Sequence, residues 1–360
     1  MTNTPTPRVC EARLAGATTL EPLVSVILPV YNGASDIEAT LDSALQQTYR
    51  NIEVIIVDDG SRDGTRALVD ALALRDSRVR VVTQTNRGVA AARNRGLAEA
   101  RGEFVAPLDA DDVWDPTKIE RQVGRMMEAD DNTGLVYCWW AWIDVKGAVL
   151  DCSPRWRIEG HAAETLLQVN YTGNASVPLY RRRDLEQVGG FDVTLRDRDA
   201  QGCEDWDVAL KVAERSSVAV VPSVLVGYRR RRASMSTRTD RMWRSHVLVV
   251  NGARQRRPQI SPSSIRRSHD QFALHLAGVS FWSRAYVRSI CWGLRASRSS
   301  LVLHILPYVI RLFSRTLVRS GDSSREIVRP GVRFSSWDMP RSLIPYDLIY
   351  DRHFKRLRDE

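Results

Sequence analysis

The amino-acid sequence predicts an α/β protein in which short parallel β-strands alternate with helices. Four short runs of apolar and β-branched residues occur within the first 108 residues, and each has the length of one buried strand. Segments with helical spacing of apolar residues lie between these runs. The connecting loops are short, and neighbouring parallel strands need a crossover that is usually helical. A parallel sheet covered by helices therefore accounts for this part of the chain.

The predicted elements follow one another in a regular order. The strands are predicted over residues 24–30, 52–57, 79–82 and 104–108. The first helix is predicted to be capped by Ser35 or Asp36 and to run to Gln46. Asp63 opens the second helix, and the third is the Ala-rich segment 88–100. The aromatic segment 137–142 is predicted as a later core strand, with a sugar-stacking platform as the alternative.

Composition excludes several classes of protein. The 360 residues are 43% hydrophobic and 26% charged, which permits a packed core and excludes general disorder. The five cysteines show no C-x-x-C spacing, so neither a disulfide framework nor a zinc knuckle is indicated. Residues 1–22 are predicted to be a disordered tail without a secretory h-region, and no run of about 18 apolar residues predicts a membrane span. We expect reduced thiols and a cytoplasmic location.

Positive charge is concentrated in the C-terminal third. The net charge is +9, and the segment from Arg229 to Arg319 contains 19 arginines, no lysine and two acids. The rest of the chain is therefore acidic overall. Arginine makes planar, bidentate contacts with phosphate groups, so the candidate partners are nucleic acid, anionic lipid headgroups and a diphosphate substrate. A solvated basic face without a ligand is the alternative.

Polar clusters follow three of the predicted strands. They are Tyr31-Asn32, Asp58-Asp59-Gly60-Ser61 and Asp109-Ala110-Asp111-Asp112. Ligands of parallel α/β sheets bind at the carboxyl ends of the strands, where these clusters are expected to meet. The chain has neither G-x-G-x-x-G after the first strand nor a P-loop sequence. A nucleotide bound here must have its phosphates neutralised in another way.

The cluster of Asp109, Asp111 and Asp112 predicts a metal site. Three carboxylates within four positions repel one another, and Mg²⁺ or Mn²⁺ would remove that cost through oxygen ligation. A metal shared with a diphosphate would also neutralise the leaving charge. The alternative is an acidic cap for the helix predicted to begin near Asp115-Pro116.

A second acidic pair, Glu204 and Asp205, lies at the start of a predicted helix. Trp206, Ala209 and Leu210 follow at helical spacing, which puts both acids in the first turn. A carboxylate held there could act as a general base. Complementarity to the helix dipole is the alternative.

Four segments together resemble the inverting family 2 glycosyltransferases with the GT-A fold. They read VSVILPVYNGASDIEATLDSALQQTY, IEVIIVDDGSRDGT, NRGVAAARNRGLAEARGEFVAPLDADDVWDP and GCEDWDVALKVAE. The resemblance covers about residues 23–235, and the segment 174–192 is also similar to the part of that family where the acceptor half begins. The resemblance implies a Rossmann-like mixed sheet flanked by helices. It also implies a nucleotide-sugar donor, with UDP favoured as the nucleotide.

The resemblance also implies roles for residues of the donor site. Pro29 and Tyr31 would flank the base, and Asp59 would contact the uracil or ribose region with Asp58 beside it. Arg93 would lie near the donor, with a salt bridge inside the fold as its alternative role.

The acids take their roles from the same resemblance. Asp109 and Asp111 correspond to the D-x-D element that holds the metal and the donor diphosphate, and Asp112 aligns with a further metal-binding acid. Asp205 corresponds to the catalytic base, and Glu204 would position the acceptor.

The segment 228–236 departs from processive members of the family, because their Q-x-x-R-W element is absent. It is similar to the Y-R…S-M-S loop of non-processive members, which implies transfer of a single sugar. Arg229 and Arg230 are candidates for contact with the diphosphate.

We predict three parts of the chain. Residues 1–22 form the tail, 23–238 the catalytic domain and 239–360 a helical, Arg-rich region. The catalytic domain divides into a nucleotide-sugar half, about 23–130, and an acceptor half, about 131–238. In the C-terminal region we predict helices over residues 242–252 and 272–298, and a basic amphipathic helix over 304–319.

The helix over residues 304–319 suits an anionic membrane surface, with packing against the catalytic domain or a second subunit as the alternative. The expected acceptor is a glycan or a lipid-linked sugar in cell-surface polysaccharide or glycolipid synthesis. Peripheral contact at the inner face of the plasma membrane would bring the enzyme to such an acceptor.

Two other functions are weighed against this one. A nucleotidyltransferase would normally show a Gly-rich loop with Arg and Lys after the first strand, where this chain has Tyr31 to Ser35. A nucleic-acid-binding protein could use the arginines. The acids at the strand ends would repel phosphate, however, so no nucleic-acid partner is expected.

Overall fold

The computed structural model describes residues 21–231 and 234–296. The strands in these ranges are β1 (Val24–Val30), β2 (Ile52–Asp58), β3 (Val79–Thr83), β4 (Phe104–Pro107), β5 (Val113–Trp114), β6 (Thr133–Ile143), β7 (Val149–Cys152), β8 (Leu179–Arg181) and β9 (Ser217–Arg229). The helices are α1 (Ile37–Leu45), α2 (Thr65–Ala73), α3 (Val89–Glu99), α4 (Lys118–Glu128), α5 (Ala163–Gln168), α6 (Arg182–Gln187), α7 (Thr194–Asp197), α8 (Glu204–Ala213), α9 (Thr239–Arg256), α10 (Pro262–Trp282) and α11 (Tyr286–Ala296).

All the strands belong to one mixed sheet with the order β3-β2-β1-β4-β8-β6-β9-β5, and β7 pairs with β6. The strands β3, β2, β1 and β4 are parallel, as the alternation of elements predicted. The strand β8 runs antiparallel to both β4 and β6, and β6 is parallel to β9. The predicted α/β mixed sheet with flanking helices is confirmed.

The strands β1 and β2 are buried along their whole length. Helices cover both faces of a parallel sheet, so its central strands are apolar without alternation, which is why the apolar runs predicted them. Helix α3 approaches β1 closely at Gly96, where a Cβ atom would lie 2.4 Å from Ile27 Cγ2. The carboxyl ends of β1, β2 and β4 therefore open on one edge of a rigid core.

The predicted core strand over residues 137–142 is confirmed as part of β6. Tyr137 and Cys138 are fully buried, whereas Trp142 is partly exposed. The Arg230 guanidinium lies over the Trp142 ring at 4.5 Å from its centroid. One face of this aromatic strand is thus used in packing within the chain.

The C-terminal part of the described chain is helical, as predicted. The predicted helix 242–252 lies within α9, but the predicted segment 272–298 forms parts of two helices. Arg284 adopts a left-handed conformation with φ 63° and ends α10, and Ser289 Oγ donates to the Ala277 carbonyl at 2.8 Å where α11 packs on α10. Among the described residues, no helix is both long and apolar enough to cross a bilayer. The tail to residue 20 and the predicted helix 304–319 lie outside the described residues.

Candidate active site

The loop after β4 carries Asp109, Asp111 and Asp112, and we call this loop the acid turn. Arg93 Nη2 donates to Asp109 Oδ1 at 2.5 Å. Arg93 comes from α3, and its side chain is buried. The predicted salt-bridge role of Arg93 is therefore present, and it joins α3 to the acid turn.

Asp112 is completely buried, and other groups bond both of its oxygens. Asn174 Nδ2 and Ser176 Oγ donate to its Oδ2 at 2.5 and 2.6 Å, and the backbone N–H of Arg229 donates to its Oδ1 at 2.9 Å. The Asp111 side chain, in contrast, is 38% exposed. Solvent thus reaches Asp111, while Asp112 ties the acid turn to two other parts of the chain.

Ionisation of Asp111 and of Asp112 is disfavoured by their surroundings. Burial, together with the negative charge of Asp109, raises the pKa of Asp111 to about 6. Burial also raises the pKa of Asp112 well above its ordinary value, and the charges of Asp111 and Asp109 act in the same direction. Among residues 21–231 and 234–296, no three His, Cys, Asp or Glu side chains are grouped as a ready-made metal site.

The acid turn does not cap the following helix. The strand β5 separates it from α4, and Asp115 Oδ1 accepts a hydrogen bond from the backbone N–H of Thr117 at 2.9 Å at the helix start. The alternative of an acidic helix cap is therefore wrong for these three acids.

The side chains of Arg229, Arg230 and Arg231, at the end of β9 and just after it, contact different partners. Arg229 Nε donates to the Asp111 carbonyl at 2.7 Å, and its Nη1 donates to the Asp144 and Val145 carbonyls at 2.9 and 3.0 Å. Arg230 lies instead over tryptophan rings. The Arg231 side chain reaches the carboxylates of Asp36 and Asp111, and Arg229 Nε also lies 3.7 Å from Asp36 Oδ1.

Arg231 forms an ion pair with Asp36, and its Nε lies 3.9 Å from Asp111 Oδ2. Asp36 occupies the N-cap position of α1, as predicted, but its side chain makes no capping bond and its carboxylate faces Arg231 instead. The pattern of arginines did not indicate which one turns toward the acids. Asn174 and Ser176 were also missed, although two polar residues in a segment of buried residues were a usable signal.

The predicted nucleotide residues lie at the ends of β1 and β2. Pro29 is paired with Val57 inside the sheet, and Tyr31 is 46% exposed. Asp58 and Asp59 are both buried. Asp58 Oδ1 accepts from the backbone N–H of Ser61 at 3.0 Å and so shapes the turn.

Asp59 holds the loop that leads into α3. Its Oδ1 accepts from the backbone N–H of Arg87 and its Oδ2 from that of Gly88, both at 2.8 Å, while Gln84 Nε2 donates to Oδ1 at 2.7 Å. These bonds fix the start of the helix that carries Arg93. Asp59 therefore holds the loop between β3 and α3 in place, independently of any contact with a ligand.

Glu204 and Asp205 form the first turn of α8, as the helical spacing predicted, and we call them the helix-start pair. Burial raises the pKa of Asp205 to about 7; the charges of Glu204 and Asp109 raise it further, whereas Arg93 lowers it. Burial likewise raises the pKa of Glu204. Arg93 thus lies where its charge acts on both acidic sites, the acid turn and the helix-start pair.

Helices α9 and α10 pack against the start of α8, next to the helix-start pair. The Trp206 ring stacks on His246 with centroids 5.0 Å apart, and His246 stacks on Phe272 at 4.2 Å. At Gly202, φ is 128° and a Cβ atom would lie 2.2 Å from Met242 Sδ. Gly202, two residues before α8, therefore lies in close contact with α9, and only glycine fits at this position.

Comparisons with known proteins agree with this geometry. Residues 25–171 match the family described as Glycosyl transferase family 2. This segment of the chain belongs to that family, as its sequence predicted. An uncharacterized glycosyltransferase of Rickettsia typhi is 28% identical over 306 residues, which are 84% of this chain and 93% of that protein.

Two further proteins are similar to this glycosyltransferase. The Escherichia coli UDP-Glc:alpha-D-GlcNAc-diphosphoundecaprenol beta-1,3-glucosyltransferase WfgD is 42% identical over 116 residues, 32% of this chain and 44% of that protein, so the alignment spans less than half of WfgD. The structure of mannosyltransferase PcManGT from Pyrobaculum calidifontis, in complex with GDP-Man and Mn²⁺, superposes with a TM-score of 0.54 at 23% identity, over 85% of each chain. The predicted GT-A type fold is confirmed.

Proposed function

We propose that this glycosyltransferase moves a single sugar from a nucleoside diphosphate sugar to an acceptor hydroxyl, with inversion at the anomeric carbon. The observation that carries the proposal is the position of Arg93. It bonds Asp109 of the acid turn, and its charge acts on Asp205 of the helix-start pair. A donor diphosphate at the first site and an acceptor at the second would meet across this arginine.

The donor would bind over the ends of β1 and β2. Tyr31 offers an exposed aromatic ring for the base, next to Pro29. Asp58 and Asp59 keep the loops around it in place and face the nucleoside. The WfgD name includes a UDP-linked donor, which supports uridine as the base.

The residues of the acid turn fit a divalent cation, Mg²⁺ or Mn²⁺. Asp111 is accessible and has a raised pKa, so a nearby cation would stabilise its ionised form. Asp109 has a second oxygen beyond the one bonded to Arg93. The cation, when bound, would neutralise charge on the diphosphate. Asp112 has its oxygens occupied, so we propose that it contributes by orienting the acid turn.

Asp205 would serve as the base. It takes the proton of the acceptor hydroxyl while that oxygen attacks the anomeric carbon from the side opposite the diphosphate. The new carbon–oxygen bond forms as the bond to the phosphate oxygen breaks, so one displacement inverts the configuration. Glu204 would position the acceptor. Arg231 is the arginine of the loop best placed to contact the diphosphate, because Arg229 and Arg230 are held by carbonyls and aromatic rings.

The acceptor would be a glycan or a lipid-linked sugar of cell-surface polysaccharide or glycolipid synthesis, reached from the cytoplasmic side of the membrane. The diphosphoundecaprenol-linked acceptor in the WfgD name supports this assignment. Among the described residues, the basic segment that follows β9 supplies charge of the sign that anionic lipids attract. We further propose that residues 23–238 are the catalytic domain and that residues 239–360 assist it.

The test is a screen of the purified chain against a panel of nucleotide sugars. Calorimetry with Mn²⁺ is expected to select one donor, EDTA is expected to weaken its binding, and slow hydrolysis should release the free sugar and UDP. Failure to bind any donor in the presence of Mn²⁺ would contradict the proposal. Release of pyrophosphate from UTP and a sugar phosphate would favour a nucleotidyltransferase instead.

A further inference from the structure

The end of α10 and the outer side of α11 expose a group of large apolar side chains. We call this group the interfacial face: Trp282, Tyr286, Val287, Ile290 and Leu294. These side chains are between 44% and 77% exposed. An apolar surface of this kind on a folded domain commonly marks a binding surface.

Helix α11 is amphipathic, and its apolar outer side is not needed for its own packing. Val287 and Ile290 are three positions apart and share one side of the helix. Trp292 and Ala296 on the other side are buried; the Trp292 ring centroid lies 5.3 Å from that of Trp243 in α9, and Ser289 bonds the Ala277 carbonyl of α10. The helix is thus attached to the protein by one side while the other side is apolar and exposed.

Arginines border the interfacial face. Arg284 and Arg288 are exposed beside and on α11, Arg295 is exposed with its guanidinium over the Trp243 ring at 4.3 Å, and α11 itself contains no acid. Exposed Trp, Tyr and aliphatic side chains bordered by Arg match the boundary between headgroups and acyl chains of an anionic bilayer. A second copy docked face to face would bring these arginines against their own counterparts. The chain immediately after α11, residues 297–319, adds further arginines and no acid, so it has the same sign of charge.

The interfacial face is linked to the acid turn through Arg230 and its neighbours. Arg230 lies between two tryptophans, with ring centroids 4.5 Å away for Trp142 and 5.1 Å away for Trp282. Its neighbour Arg229 bonds the Asp111 carbonyl, and Arg231 pairs with Asp36. A surface that covers Trp282 would therefore lie beside the loop that reaches the acid turn.

We propose that the interfacial face docks on an anionic lipid surface and so presents the active site to an acceptor held in that surface. The docking stands on the exposed residues and their charge. The statement about the acceptor rests on the proposed function. The inserted part is one side of a short helix, so the contact is reversible and salt-sensitive.

The experiment is co-sedimentation of the full chain with vesicles of phosphatidylglycerol and phosphatidylcholine, and with vesicles of phosphatidylcholine alone. The chain should bind the anionic vesicles at low salt, and Val287→Asp/Ile290→Asp should weaken binding about a hundredfold, because each buried aliphatic side chain contributes about tenfold or more. The matched control is Leu74→Asp, a change at a 91% exposed leucine after α2, which should bind like the unmodified chain.

Three outcomes would overturn the docking: no binding of the unmodified chain to anionic vesicles, unchanged binding of the double variant, or an equal loss in Leu74→Asp. Light scattering provides a fourth. If the unmodified chain is a dimer and the double variant is a monomer, the interfacial face binds a second copy of the chain instead of lipid. UDP binding with Mn²⁺ is measured in parallel and should be equal in both variants. Vesicle binding without any nucleotide-sugar binding would refute the proposed function and leave the docking intact.

Discussion

The acid turn and the helix-start pair are held in place in different ways. The acid turn directly follows β4, and its carboxylates accept bonds from side chains of α3 and of the segment before β8, and from a backbone N–H at the end of β9. The helix-start pair depends on aromatic stacking and close packing against α9 and α10. The first site is thus part of the sheet, whereas the second needs the C-terminal helices. This difference indicates that residues beyond 238 contribute to the geometry of the proposed base.

The largest expected effect is on chemistry at the helix-start pair. Asp205→Asn removes the proposed base and should lower turnover by roughly 10²–10⁴, while donor binding at the acid turn is retained. Steady-state kinetics and calorimetry with the donor found in the screen would measure both quantities. The control is Asp70→Asn, an exposed carboxylate on α2 that should leave turnover unchanged. Near-normal turnover of Asp205→Asn would exclude Asp205 as the base.

The next comparison is between two neighbours in the acid turn. Asp111→Asn should weaken Mn²⁺-dependent donor binding by about 10–100-fold with little change in stability, because the side chain is accessible. Asp112→Asn should instead lower the free energy of unfolding by about 1–3 kcal/mol, since an amide has one acceptor oxygen and cannot replace both carboxylate oxygens, which accept from Asn174, Ser176 and the backbone N–H of Arg229. Calorimetric titration would measure the Mn²⁺-dependent donor affinity of each variant, and urea unfolding would measure its free energy of unfolding. A stable Asp112→Asn protein with lost metal affinity would make Asp112 a direct ligand.

A smaller effect is expected at Gly202, where the segment before α8 is in close contact with α9. Gly202→Ala would force a Cβ atom against Met242 at a φ that favours glycine, and we expect a loss of about 1–3 kcal/mol in stability together with reduced turnover. Donor binding should change little, because the acid turn is held separately. Gly124→Ala in α4 meets nothing within 4 Å and should be neutral or stabilising by up to about 1 kcal/mol. Equal turnover of the two variants would show that the helix-start pair does not need α9.

The last expected effect is a pH-dependent gain in stability. Burial raises the pKa of Asp205 from 3.8 to about 7, so between about pH 4 and 7 the folded protein binds a proton that the unfolded chain releases. Stability from this group therefore falls as pH rises through that window. Asp205→Asn should melt at a higher temperature than the unmodified chain at pH 8, and the difference should vanish near pH 4. A melting temperature that is lower at pH 8 would show that the ionised carboxylate stabilises the fold.

Much of the nucleotide half could be predicted from residue patterns. The runs that became β1, β2 and β4 are apolar because both faces of a parallel sheet are covered, and this leaves a continuous signal in the chain. The acids at their carboxyl ends could be grouped because parallel strands end at one edge. The helical start at Glu204 was readable from the spacing of Trp206, Ala209 and Leu210.

The partners of each charged side chain could not be predicted in the same way. Three consecutive arginines, Arg229 to Arg231, contact carbonyls, tryptophan rings and carboxylates respectively. Neighbouring residues at the end of a strand point in different directions, and composition does not say which one meets which partner. The break at Arg284 was missed because the apolar spacing on either side of it is helical.

By itself, the sequence determined the order of the first four strands and the helices between them, the position of the acids at the strand ends and the resemblance to family 2 glycosyltransferases, because these depend on local apolar periodicity and on short segments. Only the tertiary structure decided that Arg93 joins the acid turn to the helix-start pair, that Asp112 is enclosed while Asp111 is accessible, and that α9 and α10 support Trp206. Those contacts join residues far apart in the chain, and packing of the whole core selects them among many charged and aromatic candidates of equal local character.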